Sequence, residues 1–548
     1  MNDPTPDPAA ERPRTVLLRE GEVHSPADPF ATAMVVEGGT IAWVGSEGAA
    51  DSFADGVDEI LHLDGALVTP AFTDSHVHTT ATGLALTGLD LAPARSLADA
   101  LARIRTHAAA RPGDRVLLGT GWDATGWPER RHPTREELDE ATGRRPLYLP
   151  RVDVHSALVT TALLDLVPDI TGLPGYRADA PLTGDAHHAA RTFAHGTLTP
   201  QQRTEAQRAA LRRAAELGIG SLHECAGPEI SGEDDFTGLL GLAAEEPGPR
   251  ITGYWAEAVT SAKDAARIRA LGAVGAAGDL FVDGSLGSRT AHLHAPYADA
   301  PHTGSASLDS AAVAAHVASC TQAGLQAGFH AIGDAAVSSV AEGVRDAARK
   351  VGLDRVRAAR HRVEHAEMLS DDTIAAFAEL ALTASVQPGF DAAWGGDSGM
   401  YAERLGPERA ATLNPYAALL RAGVPLAFGS DSPVTPLGPW AAVRDAAFHH
   451  TTGHRISVRA AFTAHTRGGW RAIGRDDAGV LVPGAPADYA VWSAGELIVQ
   501  APDTRVANWS TDPRSGTPGL PALTPGGELP VCLRTVVAGR TVHIRPNE

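Results

Sequence analysis

The apolar run Val68-Thr-Pro-Ala-Phe-Thr-Asp-Ser-His76-Val-His78 ends in two histidines spaced i, i+2. On a β-strand successive side chains alternate faces, so His76 and His78 point the same way. Two imidazoles at the end of a strand are half of a divalent-metal site, with metal–nitrogen bonds of about 2.0–2.1 Å. Spacing alone does not decide the matter. With 23 histidines in 548 residues, about one His-x-His pair arises by chance, and a second pair, His292 and His294, does occur. The second pair reads as loop or surface histidines. The strand in front of His76, and later histidines that also end strands, set the first pair apart.

Those later strands alternate with helices. Apolar segments recur at Ile219-Gly-Ser-Leu-His, Ile251-Thr-Gly-Tyr-Trp, Leu280-Phe-Val, Leu325-Gln-Ala-Gly-Phe, His361-Arg-Val-Glu, Thr383-Ala-Ser-Val and Pro425-Leu-Ala-Phe. Alanine-rich helical stretches such as 311–322 and 335–351 separate several of them. This alternation implies parallel βαβ units, and with the strand before His76 it makes eight, the count of a closed (β/α)₈ barrel. The expected fold is α/β: a TIM-like barrel over 66–475, interrupted after its first strand by an α/β insertion at 84–200. The insertion has strand candidates of its own, Arg115-Val-Leu-Leu-Gly and Pro146-Leu-Tyr-Leu. Residues 15–65 and 476–548 are rich in short strands and turns and read as one small composite β-sandwich, with residues 1–14 a disordered start.

Composition narrows the function. The 46 Lys and Arg against 66 Asp and Glu give a net charge of −20, which disfavours a nucleic-acid or anionic-membrane partner. Three scattered cysteines, Cys225, Cys320 and Cys532, fit no disulfide framework or metal spacing and point to a reducing compartment. With no signal-peptide pattern at the start and no apolar run long enough to span a bilayer, the expected location is cytoplasmic. The expected partner is a small-molecule substrate, and a homodimer is the candidate assembly.

In a barrel the C-terminal ends of the strands converge on one face, where chemistry sits. Here those ends carry His76 and His78, then His330, then His365, then Asp431. Four histidines and a carboxylate form an N/O donor set suited to zinc, iron, manganese or cobalt. Glu364, beside His365 and on the opposite strand face, reads as a structural ion-pair partner.

The ordered motifs Pro70-Ala-Phe-Thr-Asp-Ser-His-Val-His, Gly121-Trp-Asp, Arg151-Val-Asp-Val-His-Ser-Ala-Leu-Val, Phe281-Val-Asp-Gly-Ser-Leu-Gly-Ser-Arg-Thr, His330-Ala-Ile-Gly-Asp, Arg362-Val-Glu-His-Ala, Ser385-Val-Gln-Pro and Gly429-Ser-Asp-Ser-Pro-Val span nearly the whole chain. Together they resemble the amidohydrolase superfamily, and within it amidohydrolase family 3, which includes the N-substituted formamide deformylases. The resemblance implies the same barrel and sandwich. It implies that His76, His78, His330 and His365 are metal ligands, and that Asp431 both holds metal-bound water and moves its proton. One position departs from the pattern. The family's lysine four residues before the aspartate of Phe-x-Asp-Gly, which becomes a carbamate bridging two metals, is here Asp279. A shorter side chain is a poor bridge. One reading is a single ion, most simply zinc, bound by His76, His78, His330 and Asp431, with His365 free to meet substrate. The other is a bridge from a nearby carboxylate such as Glu224.

A bound divalent metal lowers the pKa of water from 15.7 to about 7. The leading expectation is therefore a hydrolase of non-peptide linear C–N bonds, with Asp431 as general base and then general acid and His365, or a donor from the insertion, stabilising the developing charge. Two alternatives stand beside it: a cyclic amidine deaminase on a one-metal site, and a non-catalytic or rewired barrel that binds a small molecule. Trp122, His155 and Arg289 are candidate substrate contacts, Trp122 being the one most naturally explained by packing.

Overall fold

The computed structural model describes residues 14–500, 509–510 and 517–546. Of the start expected to be disordered, only Arg14 falls within them.

Eight parallel strands form the central sheet: β1 (Phe72–Val77), β2 (Ile219–Ala226), β3 (Arg250–Trp255), β4 (Gly275–Ala276), β5 (Gln326–Ala331), β6 (Arg362–His365), β7 (Thr383–Val386) and β8 (Leu426–Phe428). Their order in the sheet is their order in the chain. The ring closes between its first and last strands. The Asp431 amide donates to the His76 carbonyl at 2.8 Å, and the His78 amide donates to the Ser432 carbonyl at 3.0 Å. Every residue of β1 and of β2 is buried, as expected for strands covered by helices on one face and by barrel filling on the other. Helix Asp334–Val351 buries Val337, Val340, Ala341, Val344, Ala347 and Val351, the three-and-four spacing of a single helical face laid on the sheet.

Two strands differ from the sequence reading. The fourth is Gly275–Ala276, not Leu280-Phe-Val, which pairs with the barrel only through an isolated bridge between Phe281 and His330. The apolar run ending at His78 is two strands, not one. Leu67–Pro70 belongs to an outer sheet, and after Ala71 the chain enters the barrel as β1.

The outer layers come from both ends of the chain. One sheet orders Thr40–Gly45, Ala33–Glu37, Thr15–Arg19 and Glu59–His62. A second orders Glu22–Val23, Leu67–Pro70, Tyr489–Ser493, Val531–Val537 and Arg540–Ile544. Leu18, Met34, Val36, Ile41, Val68, Tyr489, Val491 and Val536 share one core between them. After β1 a further five-stranded sheet, Leu182–Thr183, Ser156–Val159, Leu147–Pro150, Leu117–Thr120 and Leu89–Asp90, carries its own helices and cores. No helix among the described residues is long and apolar enough to cross a membrane.

Candidate metal centre

The strand ends bring their polar side chains together. His76 is the penultimate residue of β1, and His78 begins the helix Thr79–Thr87. Their rings stand 5.3 Å apart between centroids. Asp431 follows β8, and its carboxylate Oδ1 lies 3.1 Å from His78 Nε2 and 3.5 Å from His76 Nε2. Asp279 follows β4. Its Oδ1 is 3.4 Å from His76 Nε2 and its Oδ2 is 3.2 Å from His78 Nε2. Side-chain length makes Asp279 a poor bridge, yet its carboxylate lies beside both imidazoles. The backbone supplies the reach. Gly278, at φ +84°, lies so near β2 that an added Cβ would stand 3.0 Å from the Cβ of Cys225. Gly429 serves β8 in the same way: a Cβ there would come within 2.5 Å of the His76 amide nitrogen.

His330 and His365 complete the cluster, their rings 4.4 Å apart, with His365 Nε2 3.7 Å from Asp279 Oδ1. His365 and Asp431 hold left-handed backbone, φ 68° and 55°. Such conformations are uncommon outside glycine and gather at functional sites. At His365 the consequence is concrete. Strict alternation would send it away from Glu364, but the turn lets both neighbours serve the site. Glu364 Oε2 accepts from His76 Nδ1 at 2.9 Å and is itself paired with the fully buried Arg362. His365 Nδ1 donates to Gln387 Oε1 at 2.8 Å. Each bond fixes a ring so that its Nε2 faces the cluster, the usual support of a ligating histidine. Neither Arg362 nor Gln387 was assigned a role from sequence. The clue was the i, i+2 spacing of Arg362 and Glu364 on one strand.

The donors fit a divalent cation. His76 Nε2, Asp279 Oδ1 and Asp431 Oδ1 are buried and have no hydrogen-bond partner among the described residues. The four imidazole–carboxylate separations of 3.1–3.5 Å are close to the about 3.3 Å between neighbouring donors of a tetrahedral zinc site. The electrostatics agree. Burial works against charge at both aspartates, but the imidazoles around them, His76 foremost, hold Asp279 well below the ordinary carboxylate range and Asp431 below it. His78 is opposed by burial yet held up at about 9 by Asp279 and Asp431. Asp279 and Asp431 thus set buried negative charge beside His76 and His78.

The remaining candidates divide. His155 reaches the cluster from the inserted sheet, its ring 5.0 Å from that of His330. Trp122 is packed in the inserted unit's core with its indole N–H on the Leu149 carbonyl. Arg289 does not face the metal cluster. Its guanidinium is bidentate to Asp299, at 3.0 and 2.6 Å, which anchors a loop. Glu224, the alternative bridge, accepts from the Thr79 amide at 2.8 Å and so caps the helix after His78. His292 and His294 lie in the loop after Arg289, with their amides bound by Asp283 and Asp334.

The model of the amidohydrolase family matches residues 59–543. The chain belongs to the amidohydrolase family. Among relatives of this amidohydrolase, the putative amidohydrolase YtcJ of Bacillus subtilis (strain 168) is 26% identical over 85% of this chain and 92% of its own. The N-substituted formamide deformylase of Arthrobacter pascens is 34% identical, over 25% of this chain and 26% of its own. In structure the amidohydrolase is similar to an uncharacterized metal-dependent hydrolase from Pyrococcus furiosus. The TM-score is 0.66 at 27% identity, covering 87% of this chain and 98% of that one. It is thus a metal-dependent hydrolase of this superfamily.

Proposed function

We propose that this amidohydrolase cleaves linear carbon–nitrogen bonds outside peptides, in amides and formamides, with one zinc ion. The observation that carries the reading is the buried set His76, His78 and Asp279, three donors spaced for one cation at the mouth of a barrel, with Asp431 Oδ1 3.1–3.5 Å from both imidazoles, where it can hold the water in the open position. Asp279 thus takes the place expected for His330. His330 and His365 remain beside the set, free to meet substrate. The formamide deformylase likeness supports the bond class.

When bound, the ion supplies Lewis acidity and an activated water near neutral pH. The chain does the rest. Asp431 is ionised at neutral pH, so its carboxylate accepts the proton of the attacking water and returns it to the leaving nitrogen. His365, oriented by Gln387, stands 3.7 Å from Asp279 and is placed to donate to a developing oxyanion. Glu364 and Arg362 hold His76 in register from behind. The helix that begins at His78, the helix Gly184–His195 and segment 229–235 enclose a cavity of about 350 Å³ that has His78 in its wall.

The test is release of amine from a panel of N-formyl and N-acyl amines by zinc-loaded protein, with elemental analysis of the ion. Asp431→Asn should lower kcat by about 10²–10⁴-fold. Undiminished turnover would exclude Asp431 as the proton carrier, and two tightly held ions per chain would exclude the one-ion site. A single-ion donor set also suits deamination of a cyclic amidine. Ammonia release from such compounds, without amine release from the panel, would favour that reading.

A further inference from the structure

The cavity beside His78 contains a cation that the hydrolytic chemistry does not use. Arg191 lies on the helix Gly184–His195 and is 7% exposed. It lines both the cavity of about 350 Å³ and an adjoining apolar lobe, and His78 lines both as well. Its guanidinium is held in place by two carbonyls: Nη1 donates to Glu229 O and Nη2 to Val154 O, each at 2.8 Å. Nη2 also stands 3.5 Å from His187 Nδ1. Among the described residues no carboxylate lies within the 4.0 Å of an ion pair with it. Carbonyls satisfy its donors but leave its charge whole, and an unpaired buried charge is costly unless something arrives to balance it.

The surroundings do not neutralise it. Arg203, on the same cavity wall, donates among the described residues to the Leu198 carbonyl. Several acids of that wall are already engaged. Glu233 pairs with Arg267, Asp235 accepts from Thr80 and Gln207, and Glu224 caps a helix, while Glu229 attracts Arg191 only from beyond ion-pair distance. The histidines around Arg191 add no anion. Burial, then Arg191 itself, pushes His188 down to about 3 and His195 to about 4. A rigid guanidinium with donors to spare is the side chain best shaped for a carboxylate. The adjoining lobe, walled by Leu84, Leu118, Tyr148, Val154 and Pro433, offers hydrocarbon on its other side.

We propose that Arg191 is a substrate-specificity residue that binds a carboxylate, so that the favoured substrate is a linear amide with an anionic group beside an apolar arm. This rests on the reading of the same cavity as the substrate site, and its test can fail separately. Hexanoate and hexanamide have the same length and differ in charge. Each is titrated into zinc-loaded protein and followed by ligand-observed NMR. Wild type should bind hexanoate about tenfold more tightly, the worth of one charge-assisted pair. Arg191→Gln should reduce that preference to below about twofold, and Arg191→Lys should keep part of it, because the charge survives and the fork does not. Equal affinity of wild type for the two probes overturns the proposal and needs no variant. No detectable hexanoate binding does the same. A full preference in Arg191→Gln of wild-type circular dichroism overturns it too, since the carboxylate would then be reading the ion. If hexanoate is preferred through Arg191 while no amide in the panel is cleaved, the hydrolytic reading falls and the anion site stands.

Discussion

Glu364 is the group behind the metal centre whose replacement tests most of this account. Its carboxylate joins His76 Nδ1, at 2.9 Å, to Arg362, and all three side chains are fully buried. The ion pair is deep. Burial opposes ionisation of Glu364, but Arg362 and His76 hold it at about 2. Arg362 also donates to the Ser75 carbonyl at 2.6 Å and to Ser385 Oγ at 2.8 Å, and lies 4.6 Å above the ring of Tyr254. In Glu364→Gln the shape survives and the charge goes, with two separable consequences. The stranded Arg362 should cost about 3–5 kcal/mol of stability, the usual penalty for breaking one side of a buried pair. Loss of the carboxylate charge behind His76, which makes that imidazole a stronger ligand, should weaken the metal by about 10–100-fold, or roughly 1.4–2.7 kcal/mol.

Urea unfolding of chelated protein measures the first, and competition with a zinc chelator measures the second. The double variant Arg362→Met, Glu364→Gln separates them. It removes the stranded charge and should regain part of the stability, but it leaves His76 without a carboxylate partner and should not regain the metal affinity. Zinc affinity of Glu364→Gln within twofold of wild type would refute the claim that this carboxylate's charge strengthens His76 as a ligand. Full recovery of affinity in the double variant would show that the loss came from the buried charge instead.

Three further outcomes follow from the same geometry. Gly429→Ala puts a Cβ 2.5 Å from the His76 amide nitrogen, so β8 must move from β1; a loss of about 1–3 kcal/mol in urea unfolding and weaker zinc binding are expected. Unchanged values would mean that the strands give way without cost. Removing zinc with a chelator should lower the thermal midpoint, because an ion bound only by the folded state stabilises it by about 2.7 kcal/mol at a hundred times its Kd. Identical midpoints with and without zinc would argue against a tight site. Acid should destabilise the fold through histidines far from the metal. His316 accepts the Val259 amide on Nδ1 and bonds the Ala276 carbonyl through Nε2, while His361 accepts the Ala327 amide and meets Thr321, so both are locked neutral. Burial is the main cause that pushes them down, to about 4 and about 3. Their folded pKa values lie below the unfolded value of about 6.5, so the unfolded chain binds the extra protons in between. Their contribution is complete above about pH 6.5 and is lost as pH falls toward 4 and then 3. Near pH 5 the two together should add about two protons to the uptake on unfolding, read from the slope of stability against pH. A double His316→Gln, His361→Gln variant with an undiminished slope would refute this assignment.

The barrel was legible because its strands and helices alternate, and parallel strands buried on both faces read as continuous apolar runs. The same continuity hid two boundaries. From Val68 to Val77 the chain changes sheets at Ala71 with no polar break to mark it. The fourth strand, Gly275–Ala276, has too little side chain to register as a strand, while Leu280-Phe-Val registers because Val282 is buried in the barrel's core. Propensity detects burial here, not pairing. Arg191 was silent for a related reason. It sits on an alanine-rich helix with no motif around it, and only the fold shows that the helix turns that face toward a cavity.

The proposed metal centre shows why side-chain length is a weak guide to what a position can do. Set against the lysine of related chains, Asp279 falls short by several bonds, and this favoured a donor set without it. But a ligand's reach is the sum of side chain and backbone. Gly278, in a left-handed conformation beside Cys225, lets the main chain approach where a bulkier residue would be blocked, and both Asp279 oxygens then lie within 3.2–3.4 Å of the paired imidazoles. A lone glycine before an acidic residue is too common in sequence to carry that meaning. The information lies in its contact with Cys225, two strands away on the ring, and so belongs to the packing of the barrel.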